Sequence, residues 1–201
     1  YYVNDVDDKI AVHGKANMAF DEEYVAFDLE TTGLSSINDR ITEVGAVILK
    51  NGKEIDRFQT LVDPERLLTP ENTELTGITN EAIAEKGISK LQLCQDIAGM
   101  VNGKTLLLAY NAHFDLCFLF YLMLRHGDPS VLKGKDKLDL LTVYKDRHSY
   151  PHKLCNAIEV YGLADKVVNS HRAVDDVLAT VEVMKAMEEE KADLERYVNL
   201  V

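Results

Sequence analysis

Apolar and polar positions divide the chain into short blocks of contrasting period. Tyr24 to Leu29 is a compact apolar run of strand length, and Ile41 to Leu49 and Glu54 to Val62 follow as two further strands. The last two are joined through Lys50-Asn51-Gly52-Lys53, where Asn51-Gly52 predicts a hairpin because both residues tolerate the positive φ of a tight turn. From Ser89 to Met100 the period lengthens: Leu91, Leu93, Cys94, Ile97, Ala98 and Val101 fall at helical spacing, and Gly103 closes the helix. A fourth strand, Thr105 to Ala109, leads into a helix from Ala112 to Arg125. Beyond it lie a short apolar segment at Leu138 to Leu141, a helix from Lys153 to Tyr161 ended by Gly162, and a long amphipathic helix from Arg172 to Tyr197. Residues 1–23 read as an N-terminal extension, Tyr1-Tyr2-Val3 and Lys9-Ile10-Ala11-Val12 flanking an Asn/Asp-rich turn as a hairpin.

Three antiparallel strands followed by alternating helices and strands predict a mixed α/β sheet with helices on both sides. With 201 residues, 46% of them apolar, the chain can bury one good core, so residues 24–201 are expected to form a single domain. The longest apolar stretch, Phe114 to Leu124, is far shorter than the roughly 20 residues a membrane span needs and reads as a buried helix. The first residues carry neither a basic segment nor an apolar run before a small-residue cleavage site, which points to a cytoplasmic protein. Cys94, Cys117 and Cys155 are far apart, form no CxxC pair and are odd in number, so reduced, buried thiols are expected rather than a disulfide framework or a zinc site. The acidic run Glu188-Glu189-Glu190-Lys191 reads as a solvated face.

A formal net charge of −12 argues against broad electrostatic adhesion to nucleic acid, which comes mainly from Lys and Arg. A site built of carboxylates would behave differently, since bound divalent cations reverse its local sign. Such a site is suggested on the first strand, where a period of two puts Asp28 and Glu30 on one face and Phe27 and Leu29 on the other. Two carboxylates so close raise each other's pKa unless a cation lies between them, and oxygen-only ligands suit Mg²⁺ or Mn²⁺. Thr31-Thr32-Gly33-Leu34 follows directly, the glycine allowing a close approach of backbone. A second cluster, Asn111-Ala112-His113-Phe114-Asp115, opens the helix after the fourth strand with Asn111 as N-cap and Asp115 in the first turn. In the third, His171-Arg172-Ala173-Val174-Asp175-Asp176, a histidine beside acids is a candidate general base, because its unperturbed pKa lies near neutrality. On a continuous helix only Asp175 shares the face of His171, so spacing leaves open whether Asp175 or Asp176 joins the site.

Together Asp28-Leu29-Glu30-Thr31-Thr32-Gly33-Leu34, Ile41-x-Glu43-Val44-Gly45-Ala46, Leu75-Thr76-Gly77-Ile78-Thr79, Asn111-x-x-x-Asp115 and His171-x-Ala173-x-x-Asp176 resemble the DnaQ-like exonucleases of the DEDDh type, from Tyr24 to about Met187. The resemblance implies a ribonuclease H-like fold with a mixed five-stranded sheet. It also implies that Asp28, Glu30, Asp115 and Asp176 hold two divalent cations, Mg²⁺ or Mn²⁺, and that His171 activates the attacking water. Asp176 is thereby favoured over Asp175. Arg172 occupies the position where the DEDDy group carries tyrosine, which agrees with the histidine subtype. Thr31, Thr32, Gly33, Leu34, Leu75, Ile78, Asn111 and Phe114 are expected to hold the terminal nucleotide.

The activity implied is 3′-to-5′ hydrolysis of DNA, single strands favoured, with release of nucleoside 5′-monophosphates. Residues 1–20 and 73–79 are most similar to the exonuclease portion of the replicative polymerase PolC and next to the epsilon proofreading subunit, so a DNA polymerase is an expected partner. The alternatives are an exoribonuclease or oligoribonuclease using the same residues, since discrimination rests on how the pocket meets the 2′-hydroxyl, and a catalytically inactive docking module, which the intact set of four acids and His171 argues against.

Overall fold

A computed structural model describes residues 22–200, so the hairpin expected within residues 1–23 lies almost wholly outside the described residues. Five strands form one sheet: β1 (Tyr24–Thr31), β2 (Ile41–Lys50), β3 (Lys53–Leu61), β4 (Leu106–Ala109) and β5 (Asp136–Asp139), in the order β3-β2-β1-β4-β5. The first three are antiparallel neighbours, and β4 and β5 run parallel to β1. The β2–β3 turn has the predicted form, with φ of 53° at Asn51 and 74° at Gly52.

Strand alternation sorts the core into two layers. Tyr24 and Ala26 of β1, with Val47, Leu49, Leu106, Leu108 and Leu138, pack against α5 (Leu140–Arg147), α6 (Leu154–Val160) and α7 (Ala173–Glu190). Val25, Phe27 and Leu29, with Val44, Ala46 and Leu107, face α3 (Lys90–Val101) and α4 (Ala112–His126). The mixed sheet flanked by helices on both faces is therefore as the pattern predicts. None of the helices among the described residues is long and apolar enough to cross a membrane.

Four elements differ from expectation. The stretch between β3 and α3 contains two short helices, α1 (Pro70–Thr76) and α2 (Asn80–Lys86). Each is marked by a capping threonine, Thr69 before Pro70 and Thr79 before Asn80, rather than by an apolar stripe long enough to show a period. The segment at Leu138 to Leu141 divides at Asp139, which ends β5 and caps α5 by accepting the Leu141 N–H at 3.0 Å. The long last helix stops at Glu190, and residues 194–197 form a 3-10 turn. The break is held by Arg147, whose guanidinium donates to the carbonyls of Met187 (2.6 Å) and Lys191 (2.9 Å) and to Asp193 Oδ1 (2.6 Å). Leu194 and Tyr197 then turn into the core. Glu190, expected in a solvated run, instead pairs with Arg147 (3.2 Å) and His148 (3.0 Å). The cysteines are free as expected, but only Cys94 is buried; Cys117 is half-buried and Cys155 exposed.

Candidate active site

The ends of β1 and β4 diverge, and the candidate site forms there. The backbone register marks the point of divergence: β1 pairs with β4 only at Val25–Leu107 and Ala26–Leu108. Past that point the Leu29 N–H is taken by a side chain, Asp115 Oδ1, at 3.1 Å. Asp115 stands in the first turn of α4, so it reaches over the end of the sheet from the layer opposite α7. On the α7 side, Asp28 and Glu30 share a face as the period of two requires, and a register shift between Glu30 and Thr31 turns the chain away immediately after them. Asp176, in the first turn of α7, completes the group. One carboxylate oxygen each from Asp28, Glu30 and Asp176 lies within 4.8 Å of the others.

Spacing alone leaves open whether Asp175 or Asp176 joins the site. The geometry separates them, since Asp175 accepts a hydrogen bond from Ser170 Oγ at 2.6 Å, whereas Asp176 turns into the acidic cluster. His171 precedes the helix in a left-handed conformation (φ 56°), and its side chain is exposed.

Electrostatically this is a site of unneutralised acids. Burial, then the charges of Asp115, Glu30, Asp176 and Glu43, push Asp28 well above the usual carboxylate range. Glu30 is pushed up to about 8 by burial, Asp176 and Glu43, with the Arg172 guanidinium pulling the other way. Asp176 reaches about 7 through burial and Asp175, against the backbone N–H groups of His171 and Ser170. Burial also raises Asp115, opposed by the Leu29 N–H. Two oxygens, Asp28 Oδ2 and Asp176 Oδ1, are buried without a hydrogen-bond partner among the described residues. A divalent cation answers both findings, because it supplies the missing charge and takes oxygen donors of this kind. The residues therefore fit the metal centre that the sequence suggested.

Other expected residues are placed unevenly. Thr31 Oγ1 donates to Gly33 O (2.6 Å), and Thr32 Oγ1 donates to Asp39 Oδ1 (3.1 Å), folding the loop after β1 on itself. A Cβ at Gly33 would lie 2.5 Å from Asp39 Oδ2, so a side chain there would have to displace the Asp39 carboxylate. Asn72 of α1 donates to Thr31 O at 3.0 Å and ties α1 to the end of β1. Leu34 and Leu75 are exposed, and half-buried Phe114 leans on Phe118. Ile78 is corrected: at 1% exposure it packs with Leu68 and Ile83, so it anchors its segment instead of facing a ligand. Asn111 is also corrected in part, because it sits at the N-cap position with φ 67° and makes no side-chain cap.

Its backbone N–H goes instead to Asp139 Oδ1 at 2.8 Å. Asp139 is a residue that motif reading missed. Buried at the end of β5, it holds the turn before α4 and so places Asp115; its position as an aspartate closing an apolar run ahead of a helix was the available signal.

A carboxylate cluster at the divergent ends of parallel strands, in a ribonuclease H-like sheet, defines a nuclease. Residues 25–184 match the model of the family described as "Exonuclease" (RNase_T), and the chain belongs to that family. It is 36% identical over 186 residues to a DNA polymerase III PolC-type of Clostridium perfringens, covering 92% of this chain and 12% of the relative. The corresponding Bacillus subtilis protein is 32% identical over 198 residues, covering 94% and 13%. The chain thus spans about an eighth of these relatives' length. Among solved structures, E. coli exonuclease I in complex with a dA16 oligonucleotide aligns with a TM-score of 0.77 at 22% identity, covering 88% of this chain and 42% of that one. A zinc-bound form of the E. coli exonuclease I complex with single-stranded DNA gives a TM-score of 0.77 at 23% identity, covering 88% and 42%. These two likenesses bear on the fold.

Proposed function

We propose that the chain is a divalent-cation-dependent 3′-to-5′ exonuclease that removes nucleoside 5′-monophosphates from single-stranded DNA ends, in the manner of a proofreading nuclease. Residues 24–201 constitute the nuclease unit, and residues 1–23 extend it. The observation that carries the reading is the convergence of Asp28, Glu30 and Asp176, with two buried, unpartnered oxygens, beside Asp115.

Asp28, Glu30, Asp115 and Asp176 would hold two cations, Mg²⁺ or Mn²⁺. When bound, these supply Lewis-acid stabilisation of charge at phosphorus and a more acidic attacking water. His171 is the general base: it precedes the helix that carries Asp176, and its exposed imidazole would take a proton from the attacking water and release it to solvent. The loop from Thr31 to Leu34, with Leu75, Asn111 and Phe114, holds the terminal nucleotide, exposed Leu34 and Leu75 offering apolar surface to a base. The PolC-type relatives support a polymerase as the partner that delivers frayed 3′ ends, and the chain's net charge of −12 agrees with delivery rather than independent capture.

The test is incubation of 5′-labelled single-stranded DNA and RNA with Mg²⁺ or Mn²⁺, with and without chelator. A ladder shortening stepwise from the 3′ end on DNA, abolished by chelator, is the expected result. Preferential shortening of RNA would make the chain an exoribonuclease, and internal cleavage or chelator-resistant activity would refute the assignment.

A further inference from the structure

A fifth carboxylate stands at this end of the sheet. Glu43 is wholly buried on β2, directly opposite Glu30. Its Oε1 accepts from the backbone N–H of Ala173 at 2.7 Å and from Arg172 Nε at 3.1 Å, and its Oε2 accepts from Arg172 Nη2 at 2.6 Å. Gln59 reaches Oε2 from β3 at 3.5 Å. Arg172, at the N-cap position of α7, gives the helix no side-chain cap of its own. Glu43 therefore does from a neighbouring strand what a local serine or aspartate does at most helix starts: it satisfies a free N–H and opposes the positive end of the helix dipole.

Two residues further along β2, on the same face, Gly45 pairs with Asp28. A Cβ at Gly45 would lie 2.7 Å from the Ala173 carbonyl carbon and the Val174 nitrogen, so the absence of a side chain lets α7 begin directly against the strand. Glu43 and Gly45 thus form a seat, one by hydrogen bonds and the other by allowing contact.

We propose that Glu43 is a positioning residue for the metal site, seating the first turn of α7 with Gly45 so that Asp176 and the His171 turn are set against Asp28 and Glu30. Its own carboxylate is held by Arg172 and Ala173 and stays out of the ligand set. Asp176 is three residues past Ala173 and donates its N–H to Arg172 O at 3.1 Å, so any slip at the seat is transmitted to its carboxylate within one turn. His171 lies two residues before Ala173 in a left-handed conformation that a residue with a Cβ keeps only where its surroundings impose it. The proposal rests on the exonuclease reading only for its catalytic readout.

The test compares wild type, Glu43→Ala, Glu43→Gln and Gly45→Ala in two assays on the full chain. One is Mn²⁺ binding by calorimetry without substrate; the other is hydrolysis of the p-nitrophenyl ester of thymidine 5′-monophosphate. Glu43→Ala is expected to weaken Mn²⁺ binding about 10–100-fold, as loss of a ligand-orienting group does. It should lower kcat about 100-fold with KM changed less than about threefold, the signature of misplacement and not of lost substrate contact. Glu43→Gln, which keeps an acceptor for the Ala173 N–H, should fall between Glu43→Ala and wild type. Gly45→Ala, which leaves Glu43 intact and displaces the helix start, should mimic Glu43→Ala. If Glu43→Ala does not fold, the Gln and Gly45 variants carry the same comparison. Folded variants with lowered Tm whose Mn²⁺ affinity stays within about twofold of wild type would overturn the proposal and leave Glu43 a purely stabilising residue. Wild-type protein that binds Mn²⁺ yet leaves the ester intact would refute the nuclease reading, and the Mn²⁺ comparison would still decide the role of Glu43.

Discussion

Cation binding to this chain should be steeply pH-dependent around neutrality. The perturbation is proton competition: a carboxylate must be ionised to ligate, and here Glu30 holds its proton up to about 8 and Asp176 up to about 7. With the two treated as independent titrations, apparent Mn²⁺ affinity rises about 500-fold from pH 6 to pH 8, with a slope near two log units per pH unit at the acid end that flattens above pH 8. Stability of the cation-free protein should move oppositely. Acids whose folded values lie above their ordinary 4.5 and 3.8 bind extra protons in the folded state, so the stability they contribute is complete at low pH and is lost as pH rises through about 7 and 8. Calorimetric titration in two buffers of different ionisation enthalpy measures affinity and proton release together, and thermal melts with and without Mn²⁺ measure the second effect. Affinity that is flat between pH 6 and 8, with no protons released, would refute the reasoning.

Three further outcomes follow from the same geometry. His171→Ala should lower hydrolysis about 10²–10⁴-fold while leaving Mn²⁺ affinity unchanged, because its exposed ring stands outside the carboxylate cluster; parallel kinetics and calorimetry separate the two. Gly33→Ala forces a Cβ against the Asp39 carboxylate, which also holds Thr32 and the Ser35 N–H, so Michaelis kinetics should show KM for an oligonucleotide raised about tenfold, the equivalent of one or two lost hydrogen bonds. Arg147→Ala removes a nearly buried guanidinium from Asp193 and two carbonyls, and urea unfolding should show a loss of about 3–5 kcal/mol with nuclease activity of the folded protein retained.

The parts of this molecule that could be read from sequence are those governed by local periodicity. Alternation along Tyr24 to Leu29 separates two core layers and sets Asp28 beside Glu30, because strand geometry alone decides both. What could not be read depends on partners distant in the chain. The end of α7 is set by Arg147, some forty residues earlier, and nothing near Glu190 announces it. Helices α1 and α2, each of seven residues, are too short to show a period and were missed, their local marks being the capping residues Thr69 and Thr79. In the site, motif spacing proposed the acids and the resemblance favoured Asp176 over Asp175, which the placement of the two side chains agrees with, but the work of Asp139 and Glu43 needed three-dimensional placement. Ile78 shows the converse error, where a motif residue that looked like a ligand contact proves to be support for its neighbours.

The hydrogen bond from the Leu29 N–H to Asp115 gives the site a built-in reporter. In a continuous sheet that amide would answer to a neighbouring strand and be silent about chemistry. Here its acceptor is a carboxylate of the acidic centre, so its resonance frequency and exchange rate in a ¹⁵N-labelled sample register the charge state and occupancy of that centre. A single backbone signal can then follow loading and unloading in solution, without substrate or chromophore.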